Sequence, residues 1–311
     1  MKKIRLIITQ MFLTIMFTAN AQVITETFGT GANQFSIEFV QIGNPGNNAD
    51  SNGRGAVNYT YNIGKYEVSR DLIINANAAA GLNIDMYGFF TSSLKNPAPH
   101  VSWYEYGKFV NYLNTSKGYQ SAYNFDSQGN FQAWDSGQYI GSNQFRHKDT
   151  KYFLPTLNEW HKAGYYDPQK NGGNGGYWKY ATGSDSLPDQ NLDGDNNWGP
   201  NEVVWGRETF PGPSEVDNAG TLSPYGTMAQ NGNISEWTED VLDIAGEVRY
   251  KIGGHYGWKH DGFNEPTIEL DKAWAKSRFI GARIAMVPEP SAFSLLAVGL
   301  GGLALVRRRR S

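Results

Sequence analysis

The sequence predicts an α+β fold, rich in loops and built around one core. Three observations lead there. First, 36 of the 311 residues are Gly and 28 are Asn, where Gly is usually about 7%. Both residue types favour turns over the interiors of regular elements. Second, aromatic residues make up 14% and charged residues 18% of the chain. That balance suits a buried core and excludes a disordered chain. Third, the apolar stretches between helix-start signals are short, and several alternate with period two. The same composition disfavours a coiled coil or a helical bundle. With no Cys, disulfides, thiolate nucleophiles and Cys-ligated metals are excluded. No fixed-period repeat is visible and no Pro/Ser linker divides the body.

The elements follow in order. Phe35, Ile37 and Phe39 alternate with polar residues, as do Val57, Tyr59, Tyr61 and Ile63. Both read as half-buried strands. Gly43 to Asn48 between them is a turn-rich loop. Ser69 can cap a helix that carries Leu72, Ile73 and Ala76 to about Ala80. Ser102 with Glu105, and Thr156 with Glu159, have the spacing of capping boxes, in which each side chain binds the other's backbone N–H. Glu159 is therefore read as a cap acceptor, not a catalytic acid. Late strands are expected at Glu247–Ile252 and Phe279–Met286. Trp103, Trp160 and Trp237 are read as core anchors, each with an N–H needing a partner.

The ends are not fold material. Lys2, Lys3 and Arg5 precede an apolar run, and Ala19-Asn20-Ala21 fits a small-residue cleavage site. Residues 1–21 read as a secretory signal for signal peptidase. At the other end, Val287-Pro288-Glu289-Pro290 leads into an apolar run from Ser291 to Val306, then Arg307 to Arg310. The run is short for a spanning helix, and the Arg cluster would hold its end in the cytoplasm. Residues 288–311 resemble the PEP-CTERM sorting tail of exported bacterial proteins. The resemblance implies a transient inner-membrane anchor, processing by an exosortase, and delivery to the cell surface or extracellular matrix. Seven of the 27 basic residues and one of the 30 acidic ones lie in the ends, leaving a body near −9. That charge disfavours nucleic acid and anionic membrane surfaces as partners.

Five segments of the body (residues 22–287) occur in the order of a known family. They are Tyr61 to Ser69, Pro99 to Glu105, Phe153 to Trp160, Gly232 to Trp237, and the closing pair Gly253-Gly254-His255 and Ile280 to Arg283. Together they resemble the formylglycine-generating, or sulfatase-modifying, family. The resemblance implies a loop-rich variant of the C-type lectin fold. It also implies two copper-binding Cys after the Gly-Gly element. Ungapped counting places Trp258 and Phe263 there, and with no Cys in the chain a copper-thiolate site is impossible. A distant branch, in ergothioneine synthesis, uses three His on iron. Here His100, His147, His161, His255 and His260 show no ligand-like spacing.

Calcium is the remaining cofactor expectation. In the family a calcium sits at the Gly232–Trp237 loop. Gly232, Ile234 and Glu236 match its ligand positions, but Ala229 stands where a side-chain ligand belongs. Independently, Asp189, Asn191, Asp193, Gly194 and Asp195 match the first half of an EF-hand-type loop. Its twelfth position is Pro200, not Glu, and a Gly/Asn/Asp turn with no ion is the favoured reading. No catalytic residue is assigned. The functional expectation is a non-catalytic exported domain that binds glycan or a protein of the matrix. Tyr165, Tyr166, Tyr177, Trp178 and Tyr180 are candidates for stacking on sugar rings, with core packing an equal reading for many of them. The alternatives are a metal- or oxygen-dependent enzyme with a remodelled, cysteine-free site, and a matrix filler with no specific ligand.

Overall fold

The computed structural model describes residues 22–86, 93–190, 199–206, 212–258 and 267–288. Residues 1–21 and 289–311, with His260, Phe263, Asn191, Asp193, Gly194 and Asp195, lie outside them. Two sheets organise the chain. The first contains β1 (Val23–Phe28), β2 (Phe35–Ile42), β3 (Tyr61–Gly64), β4 (Tyr152–Phe153) and a late strand, β9 (Ala285–Met286). Its order is β1-β2-β3-β9-β4, and every pairing is antiparallel. The second contains β5 (Ser235–Val241), β6 (Val248–Ile252), β7 (Ile268–Lys272) and β8 (Ile280–Gly281). Its order is β7-β6-β5-β8, with β8 parallel to β5.

Helices α1 (Arg70–Ala80) and α2 (Trp103–Ser116) bury Leu72, Ile73, Phe109, Val110 and Leu113 in the main core with Phe35, Ile37 and Phe39 of β2. The spacing of those helical residues makes one apolar stripe per helix. The α1 helix ends on Gly81 at φ 63°, a left-handed cap that suits Gly. Both capping boxes form. Ser102 N–H donates to Glu105 Oε2 at 2.9 Å, and Glu105 N–H to Ser102 Oγ at 3.3 Å. At the start of α3 (Leu157–Tyr165), Thr156 N–H donates to Glu159 Oε2 at 2.7 Å and Glu159 N–H to Thr156 Oγ1 at 3.2 Å. All three core Trp are fully buried. Their indole N–H groups donate to Thr238 O, Glu236 Oε2 and Val101 O respectively. Ser69 differs: it is the N-cap of α1, but its hydroxyl bonds the Asp71 carboxylate instead of a backbone N–H.

Two strand expectations are corrected. The Val57–Ile63 alternation becomes strand only from Tyr61. Before that, Val57 bonds the 44–48 loop, through Gly46 N–H to its carbonyl and Asn47 Oδ1 to its N–H. Its backbone groups are satisfied locally, so no neighbouring strand is required. Phe279–Met286 is not one strand either. Ile280–Gly281 pairs with β5, and Ala285–Met286 pairs with β3 and β4 in the other sheet. The step between them carries Arg283 from one sheet to the other.

Candidate functional site

That step places Arg283 between the sheets, where it meets Glu236 of β5. Arg283 Nε donates to Glu236 Oε2 and Nη2 to Oε1, both at 2.7 Å. Trp160 Nε1 donates to the same Oε2 at 2.6 Å. The remaining guanidinium hydrogens reach Gly64 O, Lys65 O and Met228 O. All five Arg donors thus have acceptors, and Arg283 and Glu236 are each 0% exposed. Glu67 lies beside them, accepting from Asn233 Nδ2 at 2.5 Å and Ile234 N–H at 3.2 Å. Burial, with Glu236 nearby, pushes the Glu67 carboxyl well above its usual range. Gly253 completes the enclosure: a Cβ there would sit 3.0 Å from the Trp160 ring, and its φ is 108°. Four of the five sequence segments therefore converge on one sealed ionic cluster.

A second cluster joins residues that no motif connects. Arg146 Nε is 3.3 Å from Glu239 Oε2, and its Nη1 is 4.0 Å from Glu159 Oε1. Tyr59 donates to Glu159 Oε1 at 2.7 Å, Tyr123 to Glu239 Oε1 at 2.9 Å, and Asn143 to Glu239 Oε2 at 2.6 Å. The guanidinium lies 4.1 Å from the Phe153 ring centroid. Burial opposes the Arg146 charge, but Glu239 and Glu159 more than offset it and raise its pKa. Burial pushes the Glu239 carboxyl up to about 7. This cluster opens on a cavity of about 390 Å³ walled by Tyr59, Ile140, Phe153 and Val287. Glu159 is therefore both the cap acceptor read from sequence and a member of an ion cluster that was not.

Glu236 has both oxygens engaged by Arg283 and Trp160, and Asp189 is exposed at a short pairing with Glu202–Val203. Among the described residues, no group of three or more His, Cys, Asp or Glu is arranged to hold a metal ion. The described His are dispersed. His255 stacks on Phe279 at 4.0 Å, and burial drives its pKa down to about 3. His147 packs on Trp134. His161 is fully buried between Tyr165 and Tyr177, with Nε2 3.0 Å from Asp50 Oδ2. Of the sugar-stacking candidates, Tyr165, Tyr166 and Tyr180 are buried core residues; Tyr165 also lines a second cavity, with the half-buried Tyr177 and Trp178.

The family model for sulfatase-modifying factor enzyme 1-like domains matches residues 53–287. The chain belongs to that family. The PEP-CTERM protein-sorting motif matches residues 287–310. This tail marks an exported, exosortase-processed, surface-associated protein. No helix among the described residues is long and apolar enough to cross a membrane. Three solved structures share the fold. Treponema denticola variable protein 1 has a TM-score of 0.56 at 20% identity, covering 85% of this chain and 99% of that one. CarF has 0.55 at 20% identity, covering 81% and 99%. PvdO from Pseudomonas aeruginosa has 0.53 at 12% identity, covering 85% and 98%. No curated protein matches the chain. At these identities the likeness extends to the fold alone. The family membership explains why Glu67, Trp160, Glu236 and Arg283 are spread along the sequence yet meet in space: their motifs are the joints of the fold.

Proposed function

We propose that this chain is a non-catalytic binding domain, displayed at the cell surface or in the extracellular matrix, with glycan or a matrix protein as its ligand. One observation carries the reading. The motif side chains that define the family here are engaged in buried structural bonds, and none of Trp160, Glu236 or Arg283 is exposed. The chain also has no Cys to supply thiolate ligands. Access to solvent occurs instead at loop-lined cavities whose walls are aromatic and polar, the composition of a recognition site. The signal segment would be removed before Gln22 and the tail by exosortase. Calcium at the Gly232–Glu236 loop is a proposal that requires Arg283 to yield Glu236.

The test is a ligand screen of the purified full chain against glycans and matrix proteins. Metal content and oxygen consumption are measured on the same sample. Saturable binding without retained copper or iron is the expected result. Retained iron or copper together with oxygen uptake would overturn it in favour of an enzyme.

A further inference from the structure

The second cavity shares no lining residue with either ion cluster. It has a volume of about 210 Å³, and Asp50, Asn52, Tyr177, Trp178, Lys179 and Asp185 are among its lining residues. They come from three stretches: the 50–52 turn, the strand pair formed by Tyr166–Asp167 and Gly176–Tyr177, and the loop after it.

Each wall is fixed before any ligand arrives. The Tyr177 ring is backed by His161 at 5.4 Å, and its hydroxyl is held by Asn47 Nδ2 at 2.6 Å and donates to Asn48 O at 3.1 Å. Trp178 is half-buried. Its Nε1 donates to Asp167 Oδ2 at 3.0 Å, and the Lys170 ammonium lies 3.8 Å from its ring. The Asp185 carboxylate is set by Lys170 Nζ, at 3.0 and 3.1 Å, and by Lys179 N–H at 3.0 Å. Asp50 is held by His161 at 3.0 Å and by Ser51 N–H at 2.6 Å. Burial would raise the Asp50 carboxyl, but those bonds lower it, so it stays ionised. Pre-set walls reduce the ordering cost of binding.

The chemistry of the walls selects a ligand class. Flat rings suit a surface of C–H bonds. Carboxylates accept strong hydrogen bonds from hydroxyl groups. Among the lining residues two carboxylates, Asp50 and Asp185, face one ammonium, Lys179, and that net negative balance disfavours an anionic sugar. The volume is below that of a site for a drug-sized ligand (roughly 300 Å³ upward), so it suits one ring. We propose that this cavity is a subsite for a neutral pyranose ring, stacked on Trp178 and hydrogen-bonded through its hydroxyls to Asp50 and Asp185. The proposal rests on the binding function above and narrows its ligand to a neutral glycan.

The test uses the full chain in a non-glycosidic detergent, titrated with neutral and uronic-acid oligosaccharides. The expected result is binding of neutral glycans only. Trp178→Ala should weaken it about tenfold, as loss of one aromatic contact implies. Trp178→Phe keeps a flat face and should restore most of the affinity, which separates stacking from misfolding. Asp185→Asn should weaken binding as well. Trp274→Ala should leave it unchanged, because that residue is exposed after β7 and outside the cavity. If neutral glycan binds but Trp178→Ala and Asp185→Asn have no effect, the subsite is wrong and the binding function stands. If the chain binds only a matrix protein, the subsite again fails. If it binds neither, both fail.

Discussion

Arg283 and Arg146 each sit among buried carboxylates, but Arg146 itself lines a cavity whereas Arg283 is fully buried. Arg283 is 0% exposed and has an acceptor for every donor. The Arg146 side chain keeps 21% of its exposure, and its buried Nη1 makes no hydrogen bond. The first cluster ties β3, α3 and both sheets together and has one arrangement. The second has slack, and one of its acids changes charge near neutral pH. Sealed networks of this type specify a fold, whereas open ones tolerate change.

The largest expected effect comes from breaking the sealed cluster. Arg283→Met should leave Glu236 buried without its cation, at a cost of about 3–5 kcal/mol. Denaturant midpoints measure it. Adding Glu236→Gln should recover part of that loss, since the uncompensated charge is removed with its partner. If Arg283→Met costs less than 1 kcal/mol, water reaches this cluster and the contrast collapses.

The next effect depends on pH. Folded Glu239 holds its proton to about pH 7, against 4.5 for the solvated carboxyl of an unfolded chain. The folded state therefore binds more protons in that window, and stability falls as pH rises through it. The full span is worth roughly 3 kcal/mol at most. Glu239→Gln should remove that slope. His255 acts in the opposite sense, because burial lowers it from 6.5 to about 3. Its share of stability is lost as pH falls below 6.5, so the comparison must be wild type against Glu239→Gln at each pH. Superimposable melting curves from pH 4.5 to 7 would place Glu239 in contact with water.

Arg146→Met should cost less than Arg283→Met, about 1–2 kcal/mol. Glu239 can take up a proton near neutrality, and Glu159 keeps its bonds from Thr156 and Tyr59. The same denaturant series measures it. Equal costs for the two Arg variants would mean that cavity access makes no difference.

The legible parts of this molecule are local. Ser102 with Glu105 and Thr156 with Glu159 are three residues apart, so the capping boxes and helix starts can be read from spacing. The core Trp could be read too, because a large indole with one polar atom has few other places to go. The family motifs placed Glu236 and Arg283 in order but did not pair them. What escaped depends on distance along the chain. Asp50 and His161 are 111 residues apart, and neither lies in a segment whose period points to the other. Arg146 occurs in a stretch of Gly, Ser, Asn and Gln with no periodicity at all. The late strand departs from its sequence pattern for a different reason. Ile280, Ala282, Ile284 and Met286 alternate without a break and are all buried, because the chain stays in the core while it changes sheets. Alternation reports burial, and only hydrogen-bond partners report the sheet.

The smallest expected effect is that of calcium, and it bears on the comparison most directly. A calcium ion at Gly232, Ile234 and Glu236 needs carboxylate oxygen, and both Glu236 oxygens already accept from Arg283. Binding would have to open the sealed cluster and leave Arg283 buried without its anion. Millimolar calcium should therefore shift the melting temperature of the wild-type chain by less than a degree or so, since a ligand stabilises only in proportion to its occupancy. Ala229→Asp supplies an acid three residues before Gly232. Its φ of 65° is one that Asp tolerates better than Ala. That variant should stay nearly as insensitive, because the acid adds a ligand without freeing Glu236. A rise of several degrees with calcium in the wild type would show that Arg283 can yield Glu236. The cluster assigned here to the fold would then be an ion site held closed by its own arginine.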